Sequence, residues 1–411
     1  MSADPFLPFT DFVKSLQNKT AARNIGDRAG VPSSPAAIEN MRTYLVQYYK
    51  KTQAEHSFQD EEGQVWDCMP IKLQPSLRGR KDNRFKNVPE YPGEKWSEEK
   101  TYTKPNGISR KEVDSLGNKQ GCPEGTIPVR RLTLERMASF KSVQQFLRKD
   151  YREKEPAASR PRKLVAAATT AERKYVYARH FITNKGGGCT LNIWQPPLHN
   201  QNQLFSLSQL WTIGGRGVQQ QTIEVGWQVC PLHYGHSKPA LFIYWTPDNY
   251  RTGSYNMEQS ETFVQANSSW RLGGALSPVS TIAGTQIDMR VDWILINTAW
   301  WLYINETPVG YYPKRLFGNG ALTKLADAVV VGGEVSGNGS WAPMGSGQYA
   351  DQGYGRAAYI RNISYLDEGS INRPAHLSPV LTSENCYKFE YAQEPDWGSS
   401  FFYGGPGGNH C

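Results

Sequence analysis

The sequence predicts an all-β main domain, an antiparallel β-sandwich or jelly roll, preceded by a small α+β unit. The 411 residues include 38 Gly, 26 Pro, 12 Trp, 22 Tyr and 15 Phe, a composition typical of strands, tight turns and aromatic faces. Beyond residue 175, short alternating or apolar runs are separated by Gly, Pro, Asn and Asp, with no long helix between them. This pattern favours a sandwich over a parallel α/β sheet.

The candidate strands of the main domain share either a period of two or a short apolar run bounded by turn residues. They cover residues 174–182, 189–196, 205–214, 221–230, 240–247, 262–267, 286–296, 300–306, 307–313, 327–335 and 355–366. We place this domain at residues 175–411.

Residues 1–148 are predicted to form the smaller α+β unit. Ser34 is a suitable N-cap, Pro35 fits the first turn, and apolar residues then recur at helical spacing, which predicts a helix. Short strands are expected within 63–71 and 125–134, with a polar loop between them over about 78–120, and a second helix is expected to begin at Ser139. Residues 149–174 combine dense charge, prolines and small residues, which predicts an exposed linker that a protease can cut.

Charge and motif content exclude several classes of function. The net charge is +8, but the basic run of residues 148–163 also contains acidic residues, which indicates a solvated linker rather than a nucleic-acid interface. No apolar stretch approaches a membrane span, and no signal peptide is visible at the start. Phosphate loops, dinucleotide fingerprints, nucleophile elbows and zinc-protease helices are missing, and His233 and His236 fit a turn. We expect no metal and no cofactor.

Two acidic residues lie on otherwise apolar strands of the main domain. Glu224 in QTIEVGWQV and Glu334 in VVVGGEV both lie beside glycines, where a ligand can approach the backbone closely. Two carboxylates at hydrogen-bond distance cannot both ionise, so one holds a proton into the acidic range and the pair can activate a water. Carboxylates spaced about 5–10 Å apart would instead suit glycoside hydrolysis, and the sequence leaves this spacing open.

A series of ordered motifs resembles the neprosin family. GCPEGTIPVRR at residues 121–131 and DCMPIKLQPSL upstream are similar to its activation peptide, and TLNIWQPPL, FSLSQLWTIGG, TIEVGWQV, LFIYWTPDNY, VGYYPKRLF, VGGEV, MGSGQY and AAYIRNISYL resemble its catalytic domain. The resemblance implies the zymogen of an acid-acting glutamic endopeptidase that cleaves after proline. The catalytic glutamates of the family correspond to Glu224 and Glu334.

The resemblance also guides the remaining expectations. Related peptidases pair Glu with Gln, which makes Gln209 and Gln228 candidates to assist, and a proline pocket needs aromatic walls, for which the candidates are Trp227, Tyr244 and Trp245. The family pattern implies disulfides between Cys68 and Cys122 and between Cys386 and Cys411, and leaves Cys189 and Cys230 open. We expect a secreted monomer that acts on proline-rich peptides or proteins. The alternative from the residues alone is a carbohydrate-binding jelly roll, or a glycosidase that uses the same carboxylates.

Overall fold

A computed structural model describes residues 6–26, 31–80, 82–92, 113–149 and 171–411. Its helices are α1 (Phe9–Ser15), α2 (Lys19–Gly26), α3 (Pro35–Tyr48), α4 (Leu134–Met137), α5 (Val143–Leu147) and α6 (Pro231–Tyr234). Its strands are β1 (His56–Gln59), β2 (Val65–Pro70), β3 (Thr126–Arg130), β4 (Glu172–Asn184), β5 (Gly186–Asn192), β6 (Gln203–Gly214), β7 (Gln221–Val229), β8 (Ala240–Thr246), β9 (Ser254–Tyr255), β10 (Val264–Gln265), β11 (Asp288–Ile296), β12 (Ala299–Ile304), β13 (Thr307–Pro313), β14 (Ala326–Gly337), β15 (Ala358–Leu366), β16 (Asn372–Pro374), β17 (Ser378–Leu381), β18 (Lys388–Tyr391) and β19 (Phe401–Gly404).

The predicted fold class, an all-β main domain after a small α+β region, is confirmed. The predicted helix at Ser34 forms as α3, and the Ser34 side chain accepts a hydrogen bond from the Ala37 N–H. The helix expected from Ser139 is shorter than predicted. It begins only at Val143, because the Ser142 hydroxyl caps it by accepting a hydrogen bond from the Gln145 N–H.

Two large antiparallel sheets form the main domain among the described residues. One has the strand order β17-β4-β14-β6-β7-β8-β9, and the other runs β10-β13-β12-β11-β5-β15-β19-β18, with β16 paired to β15. Alternate residues of β7, such as Ile223, Val225 and Trp227, point to the inner face and share one core with Leu191 and Trp293 of the other sheet. The intervening residues of β7 therefore face outward.

The outer face of the seven-stranded sheet is covered in part by the N-terminal region, which consists of the described residues up to 149. The strands β1, β2 and β3 form a small sheet of their own, and the Cys68–Cys122 disulfide lies beside it. The Tyr48 hydroxyl donates to the Met257 carbonyl oxygen at 2.6 Å, and Arg130 forms a buried ion pair with Glu258. The N-terminal region is thus held on the main domain by buried polar contacts as well as by apolar packing.

The six cysteines fall into two groups. Cys68 bonds to Cys122 and Cys386 bonds to Cys411, whereas Cys189 and Cys230 are buried and form no disulfide. No helix in the described part of the chain has the length and apolar character of a membrane span.

Candidate active site

The two strand glutamates lie on either side of a glutamine. Gln209 is on β6, Glu224 on β7 and Glu334 on β14, and β6 lies between the other two strands. In the register of the sheet, Glu224 is opposite Trp211 and Glu334 is opposite Leu207, the residues two positions to either side of Gln209. All three polar side chains therefore point to the outer face, and the two carboxylates converge above Gln209.

Two glycines open the space in which the glutamates meet. Gly226 and Gly332 are the residues directly opposite Gln209 on the neighbouring strands. A Cβ atom at Gly226 would collide with the Ser208 carbonyl oxygen, and one at Gly332 would collide with the Val176 carbonyl oxygen. The glycines of the two motifs thus permit close strand packing and leave no side chain above the glutamine.

A lysine from the N-terminal region fills this space. The Lys149 Nζ lies 2.6 Å from Glu224 Oε2 and 2.9 Å from Glu334 Oε2, and it donates to Gln209 Oε1 at 2.8 Å. This side chain belongs to the first residue of the predicted exposed linker, yet it is completely buried, because the two carboxylates and the glutamine enclose it. Its backbone N–H donates to the Tyr244 hydroxyl. The ammonium group therefore lies between the two carboxylates and occupies the space above Gln209.

Glu334 has a second cationic partner. The Arg173 Nη1 lies 2.8 Å from Glu334 Oε1, and Arg173 Nη2 donates to the Lys149 carbonyl oxygen. Burial alone would raise the pKa of Glu334, but the charges of Lys149 and Arg173 outweigh it and hold the pKa below its ordinary value. Glu334 is therefore ionised in this state.

Glu224 is bonded differently. The Tyr250 hydroxyl donates to Glu224 Oε1 at 2.6 Å, and the Thr222 hydroxyl contacts the same oxygen at 3.2 Å. Burial and the charge of Glu224 raise the pKa of Tyr250 well above its ordinary value, so this tyrosine remains a neutral hydrogen-bond donor. Tyr250 ends the motif LFIYWTPDNY, but nothing in that motif indicates its contact with Glu224, because it lies in the loop after β8.

The residues predicted to bind substrate divide into two groups. Trp227 lies on the inner face, where its Nε1–H donates to the Asn192 carbonyl oxygen, and Trp245 is also on the inner face and donates to the Ser254 hydroxyl. Their position in the core separates them from the glutamates. Tyr244 and Gln228 are on the outer face, but Gln228 is bonded to the hydroxyls of Tyr255 and Tyr234 and not to either glutamate.

An open cleft of about 930 Å³ adjoins the glutamate pair. Glu334 and Tyr250 lie at one end of it, and Trp211, Tyr177 and Val330 form an apolar floor. The Lys149 Nζ lies 5.4 Å from the centroid of the Trp211 ring, which shows how close this floor is to the carboxylates. The aromatic side chains of this floor are thus Trp211 and Tyr177, and not the predicted Trp227 and Trp245.

Metal ligands do not converge anywhere in the part of the chain that the structure describes, since no group of three or more His, Cys, Asp or Glu side chains is placed to hold an ion. Comparison with known families gives two matches. A model of the Neprosin family matches residues 202–406, and a model of the Neprosin activation peptide matches residues 57–180. The chain belongs to the neprosin family. It is a peptidase zymogen, and its substrates are peptides or proteins.

Two solved structures of peptidases are among those with some similarity to this neprosin-family chain. A scytalido-glutamic peptidase with a transition state analog inhibitor shares 11% identity at a TM-score of 0.34, covering 58% of this chain and 100% of that chain. SCP-B, a member of the Eqolisin family of peptidases in complex with the tripeptide Ala-Ile-His, shares 8% identity at a TM-score of 0.32, with the same coverage. The family assignment rests on the two sequence matches.

Proposed function

We propose that the chain is the latent form of an acid-acting glutamic endopeptidase in which Glu224 and Glu334 activate a water. The observation that carries this proposal is that one nitrogen, Lys149 Nζ, contacts both carboxylates and Gln209 at hydrogen-bond distance. A water in place of this nitrogen can make the same three contacts. Cleavage of peptides at acidic pH by the wild-type chain, but not by variants of either glutamate, is the experiment that tests it.

The partners of the two carboxylates suggest which one is the base. Arg173 is on β4 and continues to pair with Glu334 when Lys149 leaves, whereas Glu224 keeps only hydroxyl donors, Tyr250 and Thr222. We therefore assign the ionised base to Glu334 and the shared proton to Glu224.

With these roles, the reaction proceeds through a tetrahedral intermediate. Glu334 takes a proton from the water, the water oxygen attacks the peptide carbonyl carbon, and Glu224 gives its proton to the carbonyl oxygen. When the carbonyl re-forms, the C–N bond breaks, the amine leaves with the proton held on Glu334, and Glu224 recovers its own. No covalent intermediate with the enzyme is required.

An inverting glycosidase fits these contacts less well. Inverting glycosidases keep their carboxyl groups about 6.5–9.5 Å apart so that water and sugar fit between them. Here both carboxylates contact the same nitrogen, at 2.6 and 2.9 Å. This arrangement suits a single shared water. A carbohydrate-binding role without catalysis would not require the paired carboxylates at all.

Acidification is expected to release the N-terminal region and to be followed by a cut between about Arg148 and Lys174. Because the pKa of Glu334 is depressed from its ordinary value of 4.5, the Lys149 contact stabilises the latent state above that pH and is lost as the pH falls through the depressed value. The pKa of the buried Glu258 carboxyl is also lowered, since the charges of His233 and Arg130 outweigh the effect of burial. The ion pair between Glu258 and Arg130 is therefore also lost as the pH falls through this lowered value.

Mass spectrometry of the full chain after stepwise acidification measures this release. We expect intact protein at pH 7 and a C-terminal fragment of the main domain below about pH 4.5. Residues 150–170, which contain most of the predicted linker, lie outside the described residues. Full activity of a chain that stays uncut at pH 4 and keeps its N-terminal region bound would contradict the release.

Proline preference is expected to depend on the aromatic floor of the cleft. Trp211 is opposite Glu224 in the sheet and Tyr177 packs edge-on against it at 6.2 Å, so a flat ring can stack beside the carboxylates. Trp211→Ala should lower kcat/KM for a proline peptide by about 10- to 100-fold, since an apolar pocket contact contributes roughly 1–3 kcal/mol. For the matched peptide with alanine in place of proline, kcat/KM should fall less.

A cleavage map compares two variants of the cleft directly. Trp211→Ala should lose enrichment of proline on the acyl side of the cut, whereas Phe181→Ala, which removes an exposed ring of the same cleft, should retain it. Equal proline enrichment in both variants would remove Trp211 from this role.

We further propose that the protein is secreted, because the two disulfides are typical of an oxidising compartment. We also propose that it acts as a monomer.

A further inference from the structure

We infer that the open cleft contains a carboxylate-binding subsite, formed by Arg179 and Arg216, that selects substrates with an anionic group a few residues from the scissile bond. This inference rests on the proposed function of the glutamate pair. It adds a substrate class that proline preference does not supply.

The charge of the described cleft lining is strongly unbalanced. Three arginines line it, Arg173, Arg179 and Arg216, against one acidic residue, Glu334. Arg173 is already paired with that glutamate. Neither Arg179 nor Arg216 forms an ion pair with any residue that the structure describes, so both guanidinium groups are available to a ligand.

Each arginine is held beside the cleft by its local structure. Arg179 extends from the middle of β4, with its Cζ 4.9 Å from the centroid of the Phe181 ring, which keeps the guanidinium over the same face of the sheet. Arg216 lies in the turn after β6, between Gly215 and Gly217, both of which have positive φ. The two residues thus line the same cleft, Arg179 from a strand and Arg216 from a turn.

The register of the sheet gives the distance of this subsite from the chemistry. Arg179 is opposite Val330, which is opposite Trp211, and Trp211 is two residues from Gln209 on the same strand. Arg179 is therefore two strands across the sheet and two residues along it from Gln209. With strands about 4.8 Å apart and about 3.4 Å per residue, the two Cα atoms are separated by about 12 Å. An extended peptide covers this distance with three or four residues.

A peptide can supply the carboxylate in two ways. The side chain of an acidic residue or the carboxyl terminus of a short peptide presents the same group, and a guanidinium binds either through paired N–H···O contacts. The apolar floor at Trp211 lies between the arginines and the glutamates. The selected substrate therefore has an apolar ring at the cut and an anion three or four residues away.

The test uses acid-matured protein and a set of peptides that share one proline cleavage site. In two series, Asp, Asn or cysteic acid stands three or four residues from the cut, on the acyl side in one series and on the amine side in the other. A third pair of peptides ends three residues after the cut, as a free acid or as an amide. At pH 5 we expect about tenfold higher kcat/KM for the anionic members of at least one set.

The pH dependence distinguishes ionic recognition from other preferences. Because a free Asp side chain has a pKa near 3.9, the Asp preference should fall between pH 5 and pH 3, whereas the cysteic acid preference should stay constant. Arg179→Gln and Arg216→Gln should each reduce these preferences, and Arg179→Glu should favour a lysine peptide instead. Arg356→Gln, at an exposed position outside the cleft, is the control, and melting temperatures verify folding.

Two results separate failure of the subsite from failure of the enzyme. If the Asn and amide peptides are cleaved but no anionic member is preferred, or if both Gln variants keep the preference, the subsite is wrong. If no peptide is cleaved, the proposed catalytic function fails. In that case the subsite is tested by binding of the same peptides to the full-length Lys149→Ala variant, measured by tryptophan fluorescence. Equal affinity for the Asp and Asn peptides would show that the subsite is wrong.

Discussion

Replacing either Glu224 or Glu334 by Gln is expected to lower kcat for peptide cleavage at acidic pH at least about 1,000-fold, and the double variant should lose little more. One carboxylate must accept a proton from water while the other donates one, so neither can act alone, and groups that act as a unit show such non-additive losses. Peptide cleavage at the acid optimum measures this. Glu368→Gln, at an exposed position, is the control and should keep full activity.

The same variants also report on the latent state. From the sequence alone, a Gln substitution would leave stability unchanged or raise it at neutral pH by relieving like-charge repulsion. The structure corrects this expectation for the full chain, because Lys149 and Arg173 already neutralise the pair. Removal of Glu334 leaves the buried Lys149 and the partly buried Arg173 with one carboxylate between them, so the full-length variant should melt at a lower temperature than the wild type. Substantial activity in either folded single variant would show that the pair is wrongly assigned.

Replacing Lys149 by Met is expected to remove the latency of the full chain. The variant loses a completely buried ammonium that contacts both glutamates, and breaking a buried ion pair of this kind costs about 3–5 kcal/mol. The glutamates then face each other with Arg173 on Glu334 as the cation that remains, so like-charge repulsion favours a proton shared by the pair at higher pH than in the wild type. Activity should therefore appear without a lag, at a pH where the wild type is still latent.

A time course of peptide cleavage immediately after a shift to pH 4 measures the lag, and a second one at pH 5 tests for activity while the wild type is still latent. Lys141→Met, which removes an exposed lysine from the same N-terminal region, should keep the lag of the wild type. The double variant Lys149→Met with Glu224→Gln should be inactive but folded, which separates loss of latency from loss of structure. A wild-type lag in folded Lys149→Met would contradict the inhibitory role of the lysine.

Much of the main domain and the position of its glutamates could be predicted from the sequence. Strand alternation assigns the neighbours of Glu224 to one face or the other by parity alone, since residues two apart share a face and residues three apart do not. By this rule Trp227 must face away from Glu224, and Trp211 must share the face of Gln209. The parity of the strands could therefore have identified the aromatic wall that composition did not.

Other parts of the site have no local signal. Lys149 lies in a charged segment without periodicity, so nothing in its sequence distinguishes a buried inhibitory lysine from a solvated one. Tyr250 reaches Glu224 from the loop after β8, and Arg173 reaches Glu334 across the β4–β14 pairing. These contacts depend on long-range strand order, which the alternation of individual strands does not determine.

The most direct test of the paired-glutamate mechanism is mass analysis of a peptide with a single proline, incubated with the purified full chain at pH 7 and at pH 4. An intact peptide is expected at pH 7. At pH 4 we expect release of the C-terminal fragment of the protein, followed by two peptide products separated on the carboxyl side of the proline, with neither event in Glu334→Gln. Cleavage by Glu334→Gln at the wild-type rate, or equal cleavage by the latent chain at pH 7, would contradict this mechanism.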